Sequence, residues 1–176
     1  MTLILKQLFA FVKLLNSDTG TNQLASGLAI GIILGFSPFL SIQVLISLVI
    51  LLFFRIQIGA AFISSFFFKF VAFLIDPLSD QLGRKILESE SFRPTWTFLY
   101  DLPIIPLTRF NNSIVMGSGL IAITLTIPAF YFFRYLVIKY REKILANFKE
   151  TKFWKAVKAT AFYKWYATYD SLYGSR

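Results

Sequence analysis

Long stretches of this chain contain no charged side chain. Residues 19–54 and residues 110–133 hold no Asp, Glu, Lys or Arg, and residues 56–75 hold a single charge, Lys69. Apolar runs of about 18 residues or more are typical of helices that span a membrane. We therefore expect an all-α integral membrane protein in which 56–75 and 113–133 are full transmembrane helices.

The first apolar stretch is interrupted by Ser37 and Pro38. Proline disfavours helical backbone at the residue before it, so two helical arms are predicted, 23–36 and 41–54, each about 21 Å long at about 1.5 Å per residue. The hydrocarbon core of a bilayer is about 30 Å thick. The hairpin 23–54 is therefore predicted to be either re-entrant or a pair of short, tilted spans, and in both cases the chain returns to the side from which it entered.

Glycines recur on one face of the first arm. Gly27, Gly31 and Gly35 are spaced four residues apart, and this spacing lets a second helix approach closely inside a membrane. We expect these glycines to have a helix-packing role, with the other arm of the hairpin as their partner.

A candidate polar notch surrounds the turn of the hairpin and consists of Ser37, Pro38 and Gln43. A carboxamide in an apolar setting is costly unless it finds a hydrogen-bond partner. We expect Gln43 to bond the carbonyls that the proline leaves unpaired near the turn. Irregular backbone at membrane depth persists only within protein or beside water, so the notch is also a candidate functional feature.

Ser65, Lys69 and Asp76 share one helical face, because they are offset by four and seven residues. A lysine inside a span is a candidate functional charge, and the alternative is that its head simply extends to the nearer membrane surface. Lysine can activate a serine nucleophile, but serine and lysine occur at this spacing often by chance. We expect no enzyme activity and no catalytic residue.

Amphipathic segments are predicted around and within the membrane domain 19–133. The N-terminal segment 1–18 carries two lysines on an apolar helix, which is typical of a helix lying in the interface. Asp76 and the proline after it predict the start of a short surface helix, and a broken, aromatic-rich stretch completes the outer segment 76–112. Asn112 is predicted to cap the last span.

The C-terminal region 134–176 is a basic and aromatic tail. The whole chain has a net charge of +9, and most of that excess lies here. Aromatic side chains at the headgroup level and lysines towards anionic lipid favour an interfacial helix. Docking of a protein partner is the alternative, and we expect no nucleic acid. The candidate tail residues are Lys155, Lys158, Phe162, Trp165, Tyr166 and Tyr169.

Charge placement predicts the orientation, and composition limits the chemistry. Lys and Arg concentrate on the cytoplasmic side of membrane proteins, so the tail is predicted to be cytoplasmic, and two full spans put the N-terminus there too. The chain has no cysteine and no histidine. This excludes disulfides, zinc sites built from these residues and a histidine base. No metal and no other cofactor is expected.

The segment from Ala25 to Ser65 resembles the bacterial membrane family called domain of unknown function 2062. The resemblance rests on a glycine-spaced helix, a proline turn followed by glutamine, a second apolar helix and an Arg-Ile-Gln step. These elements are Gly27, Gly31, Gly35, Pro38, Gln43 and Arg55. Asp76 stands where typical members have asparagine before proline. The hairpin is also similar in kind to re-entrant-helix membrane proteins that handle lipid, such as DedA-like proteins.

The family resemblance implies no established chemistry, and we expect a location in the bacterial inner membrane and a non-enzymatic role. The leading hypothesis is a subunit that helps deliver phospholipid to, or anchors, a larger envelope protein with a transmembrane anchor, bridge-like and AsmA-like. The bilayer itself, with its anionic phospholipid, is the other expected partner. The alternatives are a small transporter or permease that uses Lys69 and Asp76, or a pure membrane assembly factor.

Overall fold

The computed structural model describes residues 3–144, and every regular element in this range is helical. Helices satisfy their own backbone hydrogen bonds, as a membrane requires. The six α-helices are α1 (Leu3–Leu15), α2 (Thr21–Phe36), α3 (Ile42–Phe53), α4 (Ile58–Leu87), α5 (Arg93–Asp101) and α6 (Ser113–Lys139). Short 3-10 turns occur at Glu90–Phe92 and Ile105–Thr108, and a π-helical turn at Tyr140–Ile144 follows α6.

The chain divides into two compact units, residues 1–137 and residues 138–176. The first unit holds α1 to α5 and nearly all of α6, and it contains every site discussed below. The second unit is described only as far as Ile144, and there Lys139 pairs with Glu142 at 3.8 Å.

Two helices are long and apolar enough to cross a membrane, Ile58–Leu87 and the continuous helical stretch Ser113–Glu142. Each has 30 residues and is therefore about 45 Å long. Only 28% of the most apolar window of each is buried inside the protein, whereas the core helix of a soluble protein buries most of such a window. Phe73 and Leu74 on α4 are 70% and 82% exposed. Length, composition and exposed apolar surface fit a membrane location.

The predicted helix break at Asp76 is wrong, since α4 runs without interruption from Ile58 to Leu87. Pro77 lies inside this helix. A proline in a helix loses one backbone hydrogen bond, and membrane helices tolerate this when neighbouring helices pack around the site. Beyond Pro77, Ser79 and Gly83 are buried, so tertiary contact holds the helix together where the local pattern predicts a new start.

The starts of α2 and α6 differ in how well the sequence predicted them. At α6 the prediction is confirmed, because the Val115 N–H donates to Asn112 Oδ1 at 3.1 Å. At α2 the predicted start at residue 23, with Asn22 as its cap, is wrong. The helix begins two residues earlier, at Thr21 after Gly20, and the Asn22 side chain bonds Arg134.

The stretch between α4 and α6 is more ordered than the predicted broken structure. It contains α5 and is tied back to α4 by Trp96, whose Nε1 donates to the Ile86 carbonyl at 3.2 Å. The Trp96 ring also lies 5.8 Å from the ring of Phe92 and 6.3 Å from that of Phe110, measured between centroids. A single indole therefore holds α5 against the end of α4 and the approach to α6.

Contacts within the first unit show the relative directions of α2, α4 and α6. Gly27, Gly31 and Gly35 of α2 lie beside progressively later residues of α4, so these two helices are parallel. Helix α6 runs antiparallel to α2, because Asn22 near the start of α2 bonds Arg134 near the end of α6. The core joining the three helices contains Ile32, Phe36, Ala72 and Ala122.

Candidate functional site

The three glycines of α2 form a seam against α4, which we call the glycine seam. A methyl group added at Gly31 would lie 2.6 Å from the Ala61 carbonyl oxygen, and one at Gly35 would lie 2.7 Å from Phe68 Cβ. At Gly27 it would collide with the Gln57 carbonyl oxygen. Only glycine leaves room for the α4 backbone at these positions.

The predicted partner of the glycines, the second arm of the hairpin, is therefore wrong. The arms α2 and α3 are joined by a short turn, but the glycine-bearing face is turned towards α4. Two polar bonds reinforce this choice. Ser64 Oγ donates to the Leu28 carbonyl at 2.7 Å, and the Gln57 N–H donates to the Gln23 carbonyl at 3.2 Å. Hydrogen bonds between helices need the close backbone approach that small residues permit.

The hairpin turn carries buried polar groups. Ser37 and Ser41 are each 1% exposed, and neither hydroxyl has a hydrogen-bond partner within residues 3–144. Gln43 does have a partner, but not the predicted turn carbonyls: its Nε2 donates to the Val115 carbonyl of α6 at 2.9 Å. Gln43 thus ties the turn to another helix. Pro38 is half-buried beside it.

Gln43 can approach α6 closely because the α6 residue beside it, Gly119, has no side chain. A methyl group added at Gly119 would lie 2.6 Å from Gln43 Nε2. A different face of α6 meets α4, because Gly117 lies about half a turn from Gly119. Methyl groups at Gly117 and Gly83 would collide with the carbonyl oxygens of Ser79 and Ser113 respectively. We call this close contact of α4 with α6 the serine–glycine crossing.

The serine–glycine crossing was missed by sequence reasoning, although both helices carry its signature. Ser79 and Gly83 are four residues apart on α4, and Ser113 and Gly117 are four apart on α6. Two small residues at this spacing mark close helix contact in membranes. The Ser113 hydroxyl donates to Asp80 Oδ1, while Asp80 Oδ2 accepts from Arg84 Nε at 2.9 Å.

The three residues predicted to form an intramembrane charge site, Ser65, Lys69 and Asp76, do not come together in the structure. Ser65 Oγ donates to the Phe62 carbonyl of its own helix at 2.8 Å. Lys69 is exposed on α4 and has no ion pair within the described part of the chain. Asp76 is half-buried further along the same helix. Nothing among these contacts activates Ser65 as a nucleophile.

A lateral cleft of about 280 Å³ lies between α2 and α6, and sequence reasoning did not identify it. Its lining residues are Ser26, Ala29, Ile30, Ile56, Thr126, Ile127, Phe130 and Tyr131. Ile127 and Tyr131 are 68% and 63% exposed, so the cleft opens sideways. The sequence gives little signal for it, because Ser26 and Ala29, the small residues of its α2 lining, stand among several other small residues on the same helix.

Polar and charged groups lie at one end of this α2–α6 cleft. Arg134 Nε donates to Asn22 Oδ1 at 2.9 Å. Asn22 precedes Ser26 by one helical turn, and Arg134 follows Phe130 by one turn, so this bond lies on the same helix faces as the cleft. The cleft is therefore apolar along its length and polar at this end.

Two further predictions concern the C-terminal tail and the absence of a metal site. The candidate tail residues Lys155, Lys158, Phe162, Trp165, Tyr166 and Tyr169 lie outside residues 3–144. Within the described residues, no group of three or more Asp or Glu side chains is placed to hold a metal ion.

Comparison with known proteins identifies relatives of unknown role. Residues 6–145, about four fifths of the chain, match the family described as "Uncharacterized protein conserved in bacteria (DUF2062)". A protein of Treponema pallidum (strain Nichols), named only "Uncharacterized protein", is 29% identical over 139 residues, which cover 78% of this chain and 85% of that protein. No solved structure matches the chain significantly. The hairpin, the glycine seam and helices α2 to α6 all fall within the matched range, and the chain belongs to the bacterial family of domain of unknown function 2062.

Proposed function

We propose that this protein is a non-enzymatic membrane subunit that holds phospholipid at its side and helps deliver it to a larger envelope partner. The observation that carries the proposal is the α2–α6 cleft. It opens sideways, is lined mainly by apolar side chains and ends at the polar contact between Asn22 and Arg134. An amphipathic molecule with an apolar tail and a polar head has this same division.

The size of the cleft suits part of one acyl chain. Its 280 Å³ corresponds to roughly nine volumes of about 30 Å³, the share of one water molecule in the liquid. Because Ile127 and Tyr131 on its rim are exposed, a tail could enter from the surrounding lipid without any helix moving apart. A permease that binds a small solute would instead enclose its ligand.

The depth of the hairpin supports a role across most of the bilayer. Asn22 bonds Arg134, and Gln43 bonds the Val115 carbonyl. These two contacts are 134 − 115 = 19 residues apart on α6, or about 28 Å along a helix. The hydrocarbon core is about 30 Å thick. This distance favours the pair of short spans over a shallow re-entrant hairpin.

The location in the bacterial inner membrane, with both termini cytoplasmic, is part of the same proposal. The sequence supports it through the basic tail after α6, because lysine and arginine favour the cytoplasmic side. In that orientation the Asn22–Arg134 end of the cleft faces the cytoplasmic leaflet, and α5 faces the envelope partner.

A lipid-movement assay tests the proposal. Purified protein is placed in vesicles that contain a fluorescent phospholipid, and transbilayer movement is followed by chemical quenching of the outer leaflet. We expect movement with the natural protein and a clear loss with Ile127→Trp, whose larger ring fills the cleft opening. The matched control is Leu74→Trp, which makes the same kind of change on the lipid-facing side of α4 and should leave movement intact.

The same preparations separate the alternatives. A permease using Lys69 and Asp76 predicts a solute flux that Lys69→Ala abolishes, although neither residue lines the cleft. An anchoring role predicts recovery of a larger envelope protein with a transmembrane anchor, with no lipid movement. Equal lipid movement in Ile127→Trp and the natural protein, or none in either, contradicts the proposed function.

A further inference from the structure

We infer that Arg134 and Arg55 form a phosphate-binding site at the end of the α2–α6 cleft, which selects an anionic phospholipid whose acyl chain lies in the cleft. The inference rests on the proposed function and adds a substrate class to it. Its first basis is the energetics of the tail. Lipid tails are as apolar as the leucine-rich helices around them, so an acyl chain gains little by leaving the bilayer for the cleft. Selectivity must come from the polar end.

Arg134 is positioned for this role by its neighbour. Its Nε donates to Asn22 Oδ1 at 2.9 Å, which fixes the plane of the guanidinium, and its two terminal amino groups have no other hydrogen bond in residues 3–144. A guanidinium held by one edge presents the other edge for bidentate binding of a phosphate. Both Arg134 and Asn22 are exposed, so a headgroup can reach them.

Arg55 comes to the same end of the cleft from a different element. It lies in the link between α3 and α4, next to Ile56, which lines the cleft. Gln57, two residues on, is bonded to the Gln23 carbonyl at 3.2 Å, so the link lies along the first turn of α2. Arg55 itself is exposed.

Among the described residues, no acidic side chain neutralises either arginine. Within residues 3–144, Arg55 and Arg134 take part in no ion pair. Asp18, four residues before Asn22, is exposed. It forms no ion pair with Arg55 or Arg134. Two such cations beside an apolar cleft attract an anionic headgroup, and each arginine near an anionic lipid surface strengthens binding about fivefold.

Aromatic side chains place this end at the depth of the headgroups. Tyr131 and Tyr135 flank Arg134 on α6, and both are exposed. Tyrosine is enriched at the boundary between the hydrocarbon core and water. A free phosphate would need the arginines but not the cleft, whereas a phospholipid uses both, and this favours the lipid.

Lipid binding to the full-length protein in detergent tests the site. The probes are phosphatidylglycerol, which is anionic, and phosphatidylcholine, which is zwitterionic, with binding measured by native mass spectrometry. We expect phosphatidylglycerol to bind about tenfold tighter. Arg134→Gln and Arg55→Gln should each weaken phosphatidylglycerol about fivefold, and phosphatidylcholine by less than twofold. Arg134→Lys keeps the charge and should lose less than Arg134→Gln.

Controls distinguish this site from general charge and from free phosphate. Arg109→Gln removes the same charge from an exposed position four residues before α6 begins and should leave the preference unchanged. Inorganic phosphate at millimolar concentration should not displace phosphatidylglycerol. Displacement by phosphate, or an equal loss in Arg109→Gln and Arg134→Gln, would overturn the inference.

The results also separate this inference from the proposed function. If lipid moves across vesicles but phosphatidylglycerol and phosphatidylcholine bind equally, the headgroup site is wrong while lipid handling stands. If the charge preference follows Arg55 and Arg134 but no lipid moves and no partner receives it, the site stands and the proposed delivery is wrong.

Discussion

Gly31 occupies the middle of the glycine seam between α2 and α4, and the substitution Gly31→Ala tests that packing. The added methyl group would lie 2.6 Å from the Ala61 carbonyl oxygen and 2.8 Å from Ser64 Oγ. Ordinary van der Waals contact begins at about 3.4 Å. The carbonyl belongs to a continuous helix and cannot rotate away, so the two helices must separate.

The expected change in unfolding free energy combines two losses and one gain. Overpacking of a well-packed contact costs about 1–3 kcal/mol. Separation of the helices also weakens the bond from Ser64 Oγ to the Leu28 carbonyl, which is 2.7 Å long, and such interhelical bonds contribute about 0.6 kcal/mol. The gain in helix propensity from glycine to alanine, about 0.5–1 kcal/mol, offsets part of the loss.

A matched variant removes the propensity term from the comparison. Gly59 lies in α4, and a methyl group there would meet only the Leu14 side chain at 3.7 Å. Gly59→Ala makes the same replacement in the first turn of a helix without a collision, so it shares most of the propensity gain and should be neutral or slightly stabilising. The difference in unfolding free energy between the two variants should therefore be about 1.6–3.6 kcal/mol.

The assay is reversible unfolding in mixed micelles, followed by circular dichroism as the denaturing detergent fraction rises. Gly31→Ala should unfold at a clearly lower fraction than Gly59→Ala. If the two variants unfold within about 0.5 kcal/mol of each other, the seam does not depend on the absent side chain, and the account of why Gly31 is glycine is refuted.

Substitutions at three further positions test single bonds, at Gln43 and Asn112 by the same unfolding assay and at Trp96 by hydrogen exchange. Gln43→Leu removes the bond to the Val115 carbonyl and should cost about 0.6–1.7 kcal/mol, whereas an unchanged midpoint contradicts a role in tying the turn to α6. Asn112→Ala should cost about 1 kcal/mol as a lost helix cap, with Asn112→Ser largely restoring it. Trp96→Phe keeps the aromatic contacts but loses the bond to the Ile86 carbonyl, so faster amide hydrogen exchange across α5 is expected, and unchanged exchange argues against that bond.

Features that depend on local sequence were predictable. Charge-free runs predict the spanning helices, Pro38 predicts the turn between α2 and α3, and Asn112 predicts the start of α6, where the cap is confirmed. The exception is Pro77, where a strong local signal for a new helix is overridden. Contacts of Ser79 and Gly83 with α6 lie just beyond it, and local patterns do not include such contacts.

Features that depend on which helices meet were not predictable. In a soluble protein, the apolar face of a helix marks its buried side. Here α2 and α6 are apolar on nearly every face, so hydrophobicity does not distinguish a face towards lipid from a face towards protein. The glycine spacing showed that α2 has a close neighbour, but it could not show that the neighbour is α4.

The sequence by itself therefore determined that the chain is helical, that two of its helices are long and apolar enough to cross a membrane, and that a proline turn separates α2 from α3, because length, charge and proline act locally. The tertiary structure alone decided the partner of the glycines, the bond from Gln43 to α6, the serine–glycine crossing and the α2–α6 cleft. Each of these joins residues far apart in the chain. Among apolar helices such contacts are selected by close packing and by a few polar bonds, and both depend on the folded arrangement.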